Sequence, residues 1–165
     1  MIIYKPMETD EEMQGKGQVH YRSWQESYAG LVDEGYLARM SEEKCVALAR
    51  KWPQNTIVAK ENGKVVGFSC YSTDENNNGE VVALYVLQSH QGRKIGYALM
   101  NAAVEKLADC GSIMLWVLKG NEHAIRFYER YGFQTDGTEA PITLGTPNTM
   151  VHMVLQNNGD ISTNT

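Results

Sequence analysis

Between Ala83 and Ala108 the chain reads ALYVLQSHQGRKIGYALMNAAVEKLA, an apolar strand-like run, a polar turn with two glycines, and an amphipathic helical pattern in immediate succession. A helix start carries backbone N–H groups without intrahelical partners and the positive end of the helix dipole, so the turn Gln91-Gly92-Arg93-Lys94-Ile95-Gly96 suits a diphosphate. Glycine lets a ligand approach the backbone closely, but it also serves plain turn geometry, and the turn alone leaves both readings open. Two other phosphate loops are excluded. A Walker A loop needs Lys-Ser/Thr after its last glycine, whereas Tyr97 follows Gly96, and a dinucleotide fingerprint needs a third glycine.

The elements that position this turn follow from local patterns. The opening MIIYK reads as a strand, and METDEEM after it offers a helix start. Val19, Trp24 and Tyr28 recur at near-helical spacing between Met13 and Ala29, with Gly30 as a stop, and Val32–Met40 forms a second helical stretch. Ser41 caps a third helix that Pro53 ends. Thr56–Glu61 and Lys64–Ser72 flank Asn62-Gly63, a hairpin signal because both turn residues accept positive φ. After a polar loop, the apolar strand Glu80–Leu87 has the composition of a central strand buried on both faces. Then come a helix from about Arg93 to Asp109, a strand Ile113–Leu118, a helix Glu122–Tyr131, a break at Gly132, and closing strands Phe133–Glu139 and Met150–Leu155. This order predicts an α/β (α+β) domain on a mixed sheet, with one domain over residues 1–156 and a polar tail over 157–165.

Composition narrows the setting. Three cysteines, Cys45, Cys70 and Cys110, form no CxxC pair, so neither a disulfide framework nor a zinc site is expected, and His20, His90, His123 and His152 show no metal-ligand spacing. The chain has no secretory start and no apolar run long enough for a bilayer, which predicts a cytoplasmic protein without a membrane partner. A net charge of −5 argues against a nucleic-acid partner and suits a cationic small molecule.

The segment LYVLQSHQGRKIGYALM resembles motif A of the GNAT superfamily of N-acetyltransferases, Gln/Arg-x-x-Gly-x-Gly/Ala after the fourth strand; Gln91 and Gly96 match, while Lys94 stands where the family most often has glycine. Further on, LWVLKGNEHAIRFYERYGF is similar to motif B, with Asn121, Ala124, Phe127, Tyr128, Gly132 and Phe133 in register. The resemblance implies a mostly antiparallel sheet with helices on both faces and a splayed fourth and fifth strand pair. It implies acetyl-CoA as co-substrate and no metal, with Tyr85, Val86, Gln91, Gly92, Arg93, Lys94, Ile95, Gly96, Tyr97, Asn121 and Tyr128 contacting it. A lysine in a helical conformation at position 94 would keep its amide in the cradle.

Acetyl transfer to an amine requires a neutral nitrogen, and an alkylamine with a pKa near ~10.4 is almost wholly protonated at neutral pH, so a proton must leave before attack. By resemblance Tyr128 is the general acid that protonates the departing thiolate, and Glu80 aligns with the general base of histone-acetylating members. A backbone N–H near Tyr85 and Val86 would face the acetyl oxygen. Asn121 fits two roles, N-cap and pantetheine partner, and Arg126 and Arg130 either reach phosphates or remain solvated. WQESYAGLVDEGYLARMS is similar to the N-terminal pattern of bacterial GNAT proteins, whose first helices wall the acceptor pocket; Trp24 and Tyr28, with the carboxylate of Glu26, would suit a cationic amine, or serve only as core. The expected activity is direct acetyl transfer to a small cationic amine in a ternary complex of a monomer or homodimer. Protein N-terminal or lysine acetylation and a non-catalytic acyl-CoA-binding module are the alternatives.

Overall fold

The computed structural model describes residues 1–156, and the tail expected at 157–165 lies outside them. β1 (Ile2–Pro6) leads into three helices, α1 (Asp10–Ser27), α2 (Glu34–Arg39) and α3 (Glu42–Lys51). A meander of β2 (Thr56–Glu61), β3 (Lys64–Thr73) and β4 (Asn78–Val86) precedes α4 (Ile95–Lys106), β5 (Ser112–Leu118) and α5 (Glu122–Tyr131). The hairpin β6 (Phe133–Leu144) and β7 (Thr146–Leu155) closes the fold. The seven strands form one sheet in the order β1-β2-β3-β4-β5-β7-β6, antiparallel except for β4 beside β5. This is the expected mixed α/β fold.

Strand alternation builds a core on each face. Val58 and Phe68 pack with Met7 and Val19 of α1 on one side, while Ile57, Ala59 and Val66 meet Ile95 and Leu99 of α4 on the other. Val81, Leu115 and Val117 continue that second core against Met100, Leu107 and Phe133, with Ile125, Phe127 and Tyr128 of α5 over them. The hairpin turn forms as expected, with Asn62 at φ 51° and Gly63 at φ 79°. Among the described residues no helix is long and apolar enough to cross a membrane.

One local expectation is met in detail and two are corrected. The helix start offered by METDEEM forms at Asp10, where Thr9 and Glu12 make a reciprocal capping box. Glu12 is only 2% exposed and accepts from Lys5 at 2.7 Å, Lys60 at 3.1 Å and the Glu8 and Thr9 amides. Burial alone would raise its pKa, but these donors hold it at about 2, so one carboxylate fastens α1 to β1 and β2. The closing strands run much further than read, to Leu144 and from Thr146, through Pro141 and Pro147. Both prolines are tolerated because β6 is the sheet edge, and Pro147 precedes the stretch of β7 that pairs with β5.

The second correction bears on function. β4 is not buried on both faces: Val82 is 53% exposed and Leu84–Val86 are half-buried. β4 pairs with β5 only at Asn78–Glu80 against Ser112–Met114, and beyond Glu80 the two strands part. Val82 is also a bulged residue, since Ala83 faces Cys70 while Val81 faces Tyr71. The bulge reverses the alternation along β4, sending Val81 and Leu84 to the α4 core and Ala83 and Tyr85 to the α1 core.

Candidate active site

The gap between β4 and β5 opens into a cavity of about 710 Å³ that runs from the glycine turn, past Tyr128, to the α1–α2 region. One wall is the open edge of β4. Leu87 N–H donates to the Val66 carbonyl at 3.0 Å, and the period-two alternation of an antiparallel ladder therefore turns the Leu84 and Val86 main-chain groups away from β3 towards the gap. Tyr85, by contrast, enters the cavity with its side chain.

At the mouth of this edge a single 3-10 turn, Gln88–His90, leads into the glycine turn and α4. Lys94, the residue preceding α4, has φ 62° and ψ 16°, and no side chain caps the helix. This corrects the expected right-handed helical conformation. The left-handed region costs a β-carbon-bearing residue about 1 kcal/mol, which accounts for glycine as the usual occupant of this position. In this conformation the first-turn amides of α4 face the gap without intrahelical partners, a cradle for an anion.

The other turn residues contribute differently. Gln91, Gly92, Lys94, Ile95, Gly96 and Tyr97 line the cavity; Ile95 has its side chain buried in the core and offers only its amide. Arg93 is absent from the lining. Its guanidinium binds Glu61 at the end of β2, Nη2 to Oε1 at 2.6 Å and Nη1 to Oε2 at 3.2 Å, while His90 Nε2 meets the same carboxylate at 2.9 Å. Arg93 and then His90 hold the Glu61 pKa at about 2. Sequence reading missed Glu61, which stands 32 residues before Arg93 and in no motif.

Asn121 lines the cavity and caps α5, its Oδ1 accepting the Ala124 N–H at 3.4 Å. Arg130 lines the cavity as well, and Arg126 does not. Tyr128 faces the middle of the cavity, where burial, and then proximity to Tyr28, push its phenol far above the ordinary value; it stays protonated at neutral pH. Tyr28 and Tyr85 hydroxyls lie 3.2 Å apart, and burial followed by Tyr28 raises the Tyr85 phenol too. His20 stacks on Tyr85 at 6.1 Å, and burial, with Lys16 adding to it, lowers the His20 pKa to about 4.

Trp24 and Tyr28 line the cavity, with rings edge to face at 4.6 Å. Trp116, Ile142, Leu144 and Met150 complete this end, and the sequence offered no sign of them because they come from β5 and the β6–β7 hairpin. Glu26 points elsewhere: its Oε2 accepts the Gln88 N–H at 3.0 Å and braces the 3-10 turn. Glu80 is one residue outside the lining, opposite Met114, where burial raises its pKa against the opposing effect of His152. His152 Nδ1 lies 2.7 Å from Asp136, and its ring packs on Trp116 at 4.7 Å.

The model of the Acetyltransferase (GNAT) family matches residues 9–133, three quarters of the chain, and the chain belongs to this family. The spermine/spermidine N(1)-acetyltransferase of Bacillus subtilis is 34% identical over 85 residues, 46% of this chain and 56% of that protein. An uncharacterized N-acetyltransferase of the same organism is 28% identical over 132 residues, 73% of this chain and 74% of the relative. The chain spans about half the length of the first of these curated relatives. The PaiA N-acetyltransferase of Thermoplasma acidophilum, solved in complex with coenzyme A, superposes with a TM-score of 0.74 at 22% identity, covering 95% of this chain and 99% of that one; the likeness is one of fold.

Proposed function

We propose that residues 1–156 form one acetyltransferase domain that moves the acetyl group of acetyl-CoA directly onto a primary amine of a small molecule that arrives as an ammonium ion. The observation that carries this reading is one continuous cavity joining the uncapped start of α4, the unpaired edge of β4 and the Tyr128 hydroxyl. The α4 amides from Ile95 to Tyr97 would hold the pyrophosphate. Pantetheine amides would complete the ladder that β4 lacks, pairing with Leu84 and Val86, and Asn121 has amide N–H donors left over after capping α5.

The amine first loses a proton. Glu80, half-buried and raised in pKa, is the proposed acceptor, reached through water past Val82 because it stands just outside the wall. The neutral nitrogen attacks the thioester carbon, and a β4 amide beside the bulge stabilises the oxyanion. Collapse breaks the C–S bond, Tyr128, kept as a neutral phenol by its surroundings, protonates the thiolate, and the proton shed by the new amide nitrogen restores the phenol. None of the three cysteines lines the cavity, which favours one direct transfer over an acetyl-enzyme. The relative that acts on spermine and spermidine supports an amine acceptor.

The test is thiol release from acetyl-CoA with a panel of amines and peptide N-termini, together with mass spectrometry of product and protein. One N-acetyl product per CoA thiol is expected. Tight CoA binding without product from any acceptor would sink the reading in favour of a binding module, and a stable acetyl-cysteine would exclude direct transfer.

A further inference from the structure

Resting on that reading, the walls of the acceptor end say what kind of amine enters. Among the described residues, no aspartate or glutamate lines the cavity at all; its ionisable groups other than the tyrosines are His90, Lys94, His123 and Arg130. Glu80 stands one residue outside the lining, and the other nearby carboxylates have partners of their own. Glu26 accepts from Gln88, Asp33 caps α2 through the Tyr36 N–H, Asp136 meets His152 and Glu139 meets Lys119. What remains at the acceptor end is mainly Trp24, Tyr28, Trp116, Ile142, Leu144 and Met150, with Leu118 behind them and Ser27 as the one aliphatic hydroxyl.

Such walls treat one ammonium and several very differently. Aromatic faces attract a single cation weakly until it gives up its proton, after which the neutral amine leaves water at far smaller cost than an ammonium would. A second ammonium further along the same molecule does not react and keeps its proton, and it would shed its hydration against indole and aliphatic carbon with no counter-charge in the wall. An apolar or aryl group in that place gains contact area instead, and two indoles with a tyrosine supply flat surface of matching shape. Trp24 adds one polar feature: its indole N–H is buried and makes no hydrogen bond of good geometry.

We propose that the acceptor is a primary monoamine carried on an apolar, ring-bearing body, an arylalkylamine, and that Trp24 and Trp116 are the residues that select it. A polyamine is then a poor substrate, in contrast to the Bacillus subtilis relative. The wall, rather than the reacting groups, makes the distinction.

The experiment compares 2-phenylethylamine with spermidine in two assays on the whole chain. In turnover with acetyl-CoA, kcat/KM for 2-phenylethylamine should exceed that for spermidine by about tenfold or more, and Trp116→Ala should lower it by about tenfold, mostly through KM. Ile142→Glu, which puts a carboxylate into the wall at a half-buried position, should narrow or reverse the preference. Calorimetric titration of the CoA-bound protein gives the second, turnover-independent readout, in which 2-phenylethylamine should bind more tightly. Equal or better use or binding of spermidine by the wild type overturns the proposal. Tighter binding of 2-phenylethylamine with no turnover of either amine upholds the acceptor class and overturns acetyl transfer instead. Binding of neither amine overturns the acceptor class.

Discussion

The two ends of the cavity are built from different materials. At the turn end the groups offered to a ligand are chiefly main chain, the start of α4 and the open edge of β4, joined by the Asn121 side chain that caps α5, all within the continuous stretch from β4 to α5. At the α1–α2 end it is side chain, and its members come from α1, β5, β6 and β7, separated by as many as 126 residues from Trp24 to Met150. Main-chain groups are the same whatever the residue, so the first end tolerates substitution wherever the backbone conformation survives. The second end changes chemistry with every side chain. Such a division lets one end of the cavity stay the same while the other changes.

Four experiments would break or sharpen that division. The largest effect is expected where the two ends meet. If Tyr128 is the acid, Tyr128→Phe should lower kcat by about a hundredfold or more with little change in the KM for acetyl-CoA, as followed by thiol release. A drop confined to KM would make Tyr128 a wall residue only.

The aromatic cluster behind Tyr85 should also carry a pH signature in stability. His20 is neutral in the fold with a pKa of about 4, below its ordinary 6.5, so the unfolded chain takes up the proton first as pH falls. The folded state is favoured fully above about pH 6.5 and loses on the order of 2 kcal/mol on descending to pH 4. Melting temperatures measured across that window should fall less steeply in His20→Phe. Identical slopes would place the acid sensitivity elsewhere.

A smaller effect is expected from the brace at the turn end. Glu61→Gln frees Arg93 and His90 and should raise the KM for acetyl-CoA about two- to fivefold with kcat unchanged, the scale of partly exposed ion pairs. Because the Glu61 pKa is depressed to about 2, the brace holds above pH 4.5 and weakens as pH falls from there towards 2. An unchanged KM would show that the turn keeps its shape alone.

The smallest change tests the main-chain principle itself. Lys94→Gly relieves a left-handed residue and should stabilise the fold by up to about 1 kcal/mol, with acetyl-CoA affinity unchanged, by calorimetry. Clearly weaker binding would give the lysine ammonium a share in holding phosphate.

Much of this protein was legible in its sequence wherever neighbouring residues decide. Asn62-Gly63 dictated the hairpin, Ser41 capped α3, and Asn121 through Gly132 set both ends of α5, because turns and caps are satisfied within a few residues. The order of elements and the two motifs pointed to the mixed sheet. What the sequence misstated was also local: β4 looked like a fully buried strand because apolar composition cannot tell a core from an apolar cavity wall.

Tertiary structure alone decided the rest. No pattern in the chain places Glu61 under Arg93, or the Tyr28 hydroxyl 3.2 Å from that of Tyr85, 57 residues away. The parting of β4 from β5 follows from pairing that ends after three residues, and the left-handed Lys94 is held against its own preference by the helix and strand on either side. Local propensity is an energy of about 1 kcal/mol per residue, and packing many side chains together readily exceeds it. Sequence therefore decided the hairpin turn and the capped helix starts, while the walls of the cavity and the chemistry of its α1 end came from which strands the fold set side by side.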